Sequence, residues 1–333
     1  MNKHSRFLTI IYGLLFFITL SGCNNDLDLI DDYRETPVIY GVLNPTDSTQ
    51  YIRVQRAYLG PGNALLMAQV TDSIYYDTNL ISVSIERYKN ATLDTTWVLH
   101  PTTSINKEEG LFVDAPHLLY YTDKCRPKEG EDFKLVFKNN ATGKEILGTT
   151  KIINPPTQLT LAAAFNINLA NEAPYTIKIK TSRNAKMYGL EVRVKYLERK
   201  LTQNFYTQKT VTLQLPTQLS VGIAGGENMS FLVPGNDVYQ LLGNKVPIDA
   251  SVERPGSAVR IDFRFLIATQ EFYTYYIVNQ PNTASASIPD FTTLSDGKGI
   301  FTCRLDTLLK DYSLNSASID SLVFGKFCPD RFN

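Results

Sequence analysis

The sequence predicts a mainly β fold: an antiparallel β-sandwich followed by a larger β-rich domain with a few short helices. Three observations carry that prediction. Tyrosine and phenylalanine number 19 and 17 against a single tryptophan, Trp97, and with frequent threonine the mix favours strands. Apolar and polar residues alternate with period two in segment after segment. Short runs of Gly, Asn and Pro separate those segments, the punctuation of an antiparallel sandwich.

Taken in order, Thr36 to Leu43 reads as the first strand, ended by Asn44-Pro45. Gln50 to Leu59 follows, with Ile52 and Val54 on one face and Tyr51, Arg53 and Gln55 on the other. Gly60-Pro61-Gly62-Asn63 breaks it, and Asn63 can cap a short helix over Ala64 to Val70. Leu80 to Tyr88 alternates cleanly through Ile81, Val83 and Ile85, and strand signals recur at Thr95 to Leu99 and Leu111 to Val113. Phe133, Leu135 and Phe137 alternate with Lys134, Val136 and Lys138; the turn at 139–143 then leads into Lys144 to Ile153. Residues 36–154 are therefore assigned to an immunoglobulin-like antiparallel β-sandwich.

Asn154-Pro155-Pro156 marks the boundary, because two prolines remove backbone donors and stiffen the connection. Residues 157–333 form the β-rich domain. Tyr188, Leu190, Val192, Val194 and Tyr196 define a half-buried strand, and Val211, Leu213 and Leu215 a partner across a hairpin. Asp237 to Leu242 is expected to be a helix capped by Asn236 and stopped by Gly243. Val259 to Leu266 is a strand. Thr269 to Asn279 reads as a helix, though its aromatic density would also suit a strand. Gly297 to Arg304 is a glycine turn into a final core strand, with Ile319 to Phe324 expected beside it.

The amino terminus carries the clearest chemical signal. Lys3 and Arg6 precede an uncharged run from Phe7 to Leu20, and Leu20-Ser21-Gly22-Cys23 closes it. This is a lipobox: small residues fit the signal-peptidase pocket and the Cys23 thiol takes the lipid. The run is a secretory h-region, too short for a transmembrane span. Residues 1–22 are then a lipoprotein signal peptide, and residues 23–35, rich in Asp and Asn, a flexible acidic tether. Several acyl chains on one residue suffice for stable anchoring.

Removing residues 1–22 takes away Lys3 and Arg6 and no carboxylate, leaving 31 basic against 33 acidic side chains. That balance, without any basic run, excludes a nucleic-acid partner. After lipidation Cys125, Cys303 and Cys328 remain. They allow one bridge and leave one thiol free; Cys303 with Cys328 is the candidate disulfide, the alternative being buried free thiols.

Catalytic patterns are absent. His4 leaves with the signal peptide, and His100 and His117 both adjoin prolines and belong to no metal-binding spacing, so neither metal nor cofactor is expected. Ser104-Ile105-Asn106-Lys107 matches the four-residue S-x-x-K pattern, but without a helical apolar face or partner motifs. The acidic pairs Asp31/Asp32 and Glu108/Glu109 read as solvated charge. Phe272-Tyr273 and Tyr275-Tyr276 could offer stacking faces, and Tyr275 and Tyr276 are the candidate binding aromatics; core plus rim is the simpler account of such pairs.

The lipobox, the acidic leader and the phrase over Thr36–Gly60 resemble the opening of Bacteroidota envelope lipoproteins. Pro127 to Phe137, PKEGEDFKLVF, is similar to the pro-x-x-gly-x-x-tyr-x-leu strand of the domain of unknown function 4249 type, with Phe133 in place of the tyrosine. The glycine turn before Ile300-Phe301 fits the same type. The resemblance implies two β-rich domains and association with TonB-dependent outer-membrane receptors, and brings no catalytic residues. The expected function is thus a non-enzymatic outer-membrane lipoprotein, anchored through Cys23 on the surface or the periplasmic face, that docks in an envelope complex. A surface module for glycan or peptide is the alternative, and a hydrolase whose fold assembles carboxylates or His100 and His117 in a deep pocket a third.

Overall fold

The computed structural model describes residues 36–57, 66, 68–106, 117–158, 166–170, 173–280 and 291–333. Cys23, the acidic tether, the 60–63 breaker, the Leu111–Val113 strand and three residues of the helix expected over 64–70 lie outside these residues; 68–70 are turn and coil rather than helix. The fold is mainly β, as the alternation predicts.

The first half contributes β1 (Thr36–Leu43), β2 (Gln50–Ala57), the single-turn α1 (Thr71–Ile74), β3 (Ile81–Lys89), β4 (Thr92–Val98), β5 (His100–Thr102), β6 (Leu119–Thr122), β7 (Asp132–Asn139) and β8 (Glu145–Lys151). One layer runs β4-β3-β7-β8, all antiparallel, and the other holds β1-β2-β6-β5. Their inward residues make the core: Ile39, Leu43, Ile52 and Val54 from one sheet, Ile81, Val83, Ile85, Phe133, Leu135 and Phe137 from the other. Each such side chain stabilises the fold by about 1.5–3 kcal/mol through its burial.

The second half contributes β9 (Thr157–Gln158), β10 (Tyr175–Lys180), β11 (Met187–Lys200), β12 (Thr207–Gln214), β13 (Gln218–Leu219), β14 (Asn228–Val233), α2 (Gly235–Lys245), β15 (Val252–Glu253), β16 (Arg260–Ala268), α3 (Gln270–Val278), β17 (Lys298–Ser313) and α4 (Ser316–Val323). Strands β12-β11-β16-β17 form one layer and β14-β10-β9 a second. Between them Phe231 meets Phe265 edge-on at 6.0 Å, and Tyr175 stacks on Phe263 at 6.5 Å. The buried Tyr188 hydroxyl accepts the Ser182 N–H at 2.7 Å, which satisfies both groups. On the opposite face Arg264 bridges Asp306 and Glu191, and Glu191 also holds Arg193 at 3.0 Å.

The two halves expected on either side of 154–156 are joined by β17. Its first part, Lys298 to Cys303, pairs in parallel with β1 from Val38 to Leu43. Its later part, Arg304 to Ser313, pairs antiparallel with β16. The first sandwich therefore takes a strand from the far end of the chain, and one ten-stranded sheet runs through both halves. Gly299 makes this possible: its φ is +108°, and a Cβ there would lie 2.1 Å from the Ile39 carbonyl oxygen.

Four further expectations change. Ile319 to Phe324 is not a strand: the segment belongs to α4, whose start is capped by the Asn315 side chain accepting the Ser318 N–H at 2.9 Å. Gly243 does not stop α2, which continues to Lys245; it gives room for the Phe327 carbonyl, 2.0 Å from where a Cβ would stand. Nor is Asn236 a cap, since α2 starts before it, at Gly235 behind Pro234. The candidate bridge is absent too, Cys125, Cys303 and Cys328 all being free and buried. Cys303 sits in the first sandwich against the Ile153 backbone, whereas Cys328 donates to the Tyr239 carbonyl at 3.1 Å behind α2. Burial pushes the Cys125 and Cys303 thiols up to about 12 and Cys328 up to about 11.

Candidate functional site

The expected site residues do not converge. Thr269 caps α3 by accepting the Phe272 N–H, so the aromatic segment is helical, and the helix lies on the outer face of the sheet at β17. Tyr275 points back and bonds the Tyr40 hydroxyl at 3.2 Å, with the rings edge-on. Burial raises its pKa, helped by Tyr40. Tyr276 points out and is 50% exposed. The pair divides into one packed ring and one rim ring. His100 meets Tyr121 edge-on, while His117 Nδ1 contacts the Ile105 carbonyl, so the histidines serve separate local contacts. Ser104 bonds Thr102, and Lys107 lies outside the described residues.

What the topology does assemble is a cleft of about 640 Å³ where the two halves meet. One wall is the end of β3, β7 and β8, with Tyr88, Lys134 and Lys151; the other is Asn184, Ile223 and the start of α3, with Gln270 and Glu271. Its polar groups carry both signs. Burial works against the Lys134 ammonium, but the Tyr88 hydroxyl and Glu86 outweigh it and hold its pKa above the ordinary lysine value. Lys151 and Glu271 make no ion pair with described residues and stay available to a ligand. Asn184, at φ +65°, donates its side-chain amide to the Ile152 carbonyl at 3.0 Å, which ties the second half to the first. Mixed charge, an aromatic ring and amides suit a polar, hydrogen-bonding guest, with orientation set by the two free charges.

The lip of this cleft is the loop after β13. Val221 is 92% exposed and Ile223 47%, yet the loop is firmly tied. The Glu227 carboxylate accepts the N–H groups of Gly222 and Val221, both at 2.8 Å, and these amides hold its carboxyl below the ordinary range. The Lys186 ammonium donates to the carbonyls of Ser220 and Val221. Asn184 N–H reaches the Ile223 carbonyl at 2.8 Å, and Gly226 N–H the Thr181 carbonyl at 2.8 Å. Gly225, at φ +79°, backs onto the chain at Arg183, where a Cβ would meet nitrogen at 2.7 Å. Apolar side chains are thus presented to solvent on a rigid backbone. Sequence reasoning passed over this loop; its signal was Val221 and Ile223 set among glycines and a lone glutamate, with no alternation to place them in a core.

Among the described residues no group of three or more His, Cys, Asp or Glu could hold a metal ion, and no helix is long and apolar enough to cross a membrane. No protein-family model matches the chain, and no curated protein does. A solved structure titled "Cytokine receptor complex - Crystal form 1A" aligns over 84% of this chain and 99% of that one at 8% identity, with a TM-score of 0.18. An overlap that low carries no argument.

Proposed function

We propose that this chain is an outer-membrane lipoprotein, held to the bilayer through lipid on Cys23, that works without catalysis as a docking or accessory subunit of an envelope complex. A TonB-dependent receptor is the partner that the resemblance favours. The observation that carries the docking reading is the tied loop at the cleft. Exposing Val221 and Ile223 to water is unfavourable by itself, and holding them rigid lowers the entropy lost when a partner covers them. The cleft behind the lip supplies polar groups for register, so that apolar contact and hydrogen bonding are offered side by side.

The test is a photo-crosslinking residue placed at Val221 in intact cells, with the same residue at Lys138 on the outer surface of β7 as control. A discrete adduct with one envelope protein is expected from position 221 and not from 138. Equal labelling from both positions would remove the docking reading. Anchoring is tested separately: Cys23→Ser should abolish incorporation of labelled palmitate and release the protein from the membrane fraction. A glycan surface remains the second reading, favoured by the exposed Tyr276 ring; loss of glycan binding on Tyr276→Ala, with Val221→Asp silent, would select it.

A further inference from the structure

Among the described residues the sheets end in several edge strands, and most of these are short, covered or irregular. On β5 the edge is three residues long and contains Pro101, which has no N–H to offer. The β8 edge is covered, because Leu147 exchanges bonds with Ser295 at 2.8 and 2.9 Å and Gly148 bridges Leu294. An irregular register at Arg87/Tyr88 disturbs the β3–β4 pairing, and β4 itself carries Asp94. Two residues make up β9, and on β14 the Ser230 carbonyl receives the Gln218 side chain at 2.8 Å. These are the usual defences of an edge against pairing with another chain.

The edge strand with the longest unbroken pairing is β12, at the end of the ten-stranded sheet, with α2 packed against it. It pairs with β11 over eight consecutive residues, Thr207 to Gln214, without a register shift. It contains neither proline nor glycine, and Lys209 is its only charge. Among the described residues no strand pairs with its outer edge. Alternate residues of such a strand turn their N–H and C=O groups to solvent.

The sequence of that edge is nearly symmetric, Lys209 and Leu213 being the one mismatched pair. Gln208-Lys209-Thr210-Val211-Thr212-Leu213-Gln214 is symmetric about Val211 in its glutamines and threonines. An antiparallel pair of identical strands about a two-fold axis at Val211 sets Val211 against Val211, Thr210 against Thr212 and Gln208 against Gln214. Lys209 then faces Leu213, so no like charges oppose one another. Threonine–threonine and valine–valine pairs are favourable across antiparallel strands, and a symmetric dimer needs one surface that complements itself. The axis is perpendicular to the sheet, so the apolar face of one copy continues into the apolar face of the other.

We propose that β12 pairs with β12 of a second copy of this chain, joining two ten-stranded sheets into one. The inference is independent of the docking reading, since the cleft and its lip are built from other elements.

The test uses the full chain purified in detergent. Sedimentation should show a dimer that dissociates on dilution. Thr210→Glu with Thr212→Glu places like charges across the axis while facing Lys195 and Arg193 on β11 within each copy; it should weaken the dimer about tenfold or more. Thr210→Glu with Thr212→Lys puts opposite charges across the same axis and should restore it. Val211→Cys should yield a covalent dimer with a short bismaleimide, whereas Val98→Cys on β4 should not. A chain that stays monomeric at every concentration overturns the proposal. So does a dimer indifferent to both charge pairs, or crosslinking from Val98→Cys to the same extent as from Val211→Cys.

Discussion

From Gly299 to Cys303 β17 is buried on both faces; from Arg304 to Ser313 it is half-exposed, with Leu305 and Tyr312 turned inward. The two stretches belong to one strand but to different kinds of sheet. The first is parallel to β1, with β8 on one side and α3 on the other. The second is antiparallel to β16 and carries Asp306 in the charged row with Arg264 and Glu191. Parallel strands are covered on both faces, whereas antiparallel ones tolerate water on one. A single strand passes from the first regime to the second within one residue, at Arg304.

Substitutions along β17 should expose that contrast as a gradient. Phe301→Ala empties a site fully enclosed by Gly41, Ile52 and Gly148 and should destabilise the protein by about 3–5 kcal/mol in denaturant unfolding. Leu308→Ala, in the antiparallel stretch, should cost well under half of that; equal losses would show that the two stretches share one environment. Gly299→Ala comes next, because its positive φ and the Ile39 carbonyl both resist a methyl group; at least about 1–3 kcal/mol is expected, read as a fall in Tm. Arg264→Ala removes a partly buried pair of ion contacts at the sheet surface and should cost about 1 kcal/mol, shrinking as salt is added.

The smallest change concerns the lip of the cleft. The Glu227 carboxyl is held below its ordinary range by the Gly222 and Val221 amides. Its contribution is therefore complete above the ordinary glutamate range and fades as pH falls through the lowered value. Amide exchange at Val221 and Gly222 should be slow and steady at neutral pH. After correction for intrinsic rates it should quicken only in acid. Glu227→Gln should quicken it at all pH values; a flat, unchanged profile would mean that Glu227 does not tie the loop.

Much of the fold was legible as period. The inward set Tyr188 to Tyr196 and the set Ile81 to Ile85 are buried as the alternation required. Pairing between β1 and β17 was not legible, because Val38 and Lys298 are partners across most of the chain and alternation names no partner. The α4 segment was misread since Ile319, Leu322 and Val323 suit either period over so short a stretch, and the deciding signal was the cap at Asn315. Between a Cys303–Cys328 bridge and buried free thiols the sequence left the choice open, because it carries no distance; the thiols are free and buried. The cleft could not be read at all: Tyr88 and Lys151 come from strand ends, Asn184 from a turn and Glu271 from the start of a helix.

The crossing of β17 also has a mechanical meaning. A pull applied at Thr36 along β1 loads that strand along its own axis. The far half of the molecule resists through β17, which lies beside β1 in the same direction. A tug between those ends slides one strand against the other and loads the six paired positions from Val38 to Leu43 side by side, rather than peeling them one at a time. The joint between the two halves is thus a shear clamp, placed where tension would arrive first.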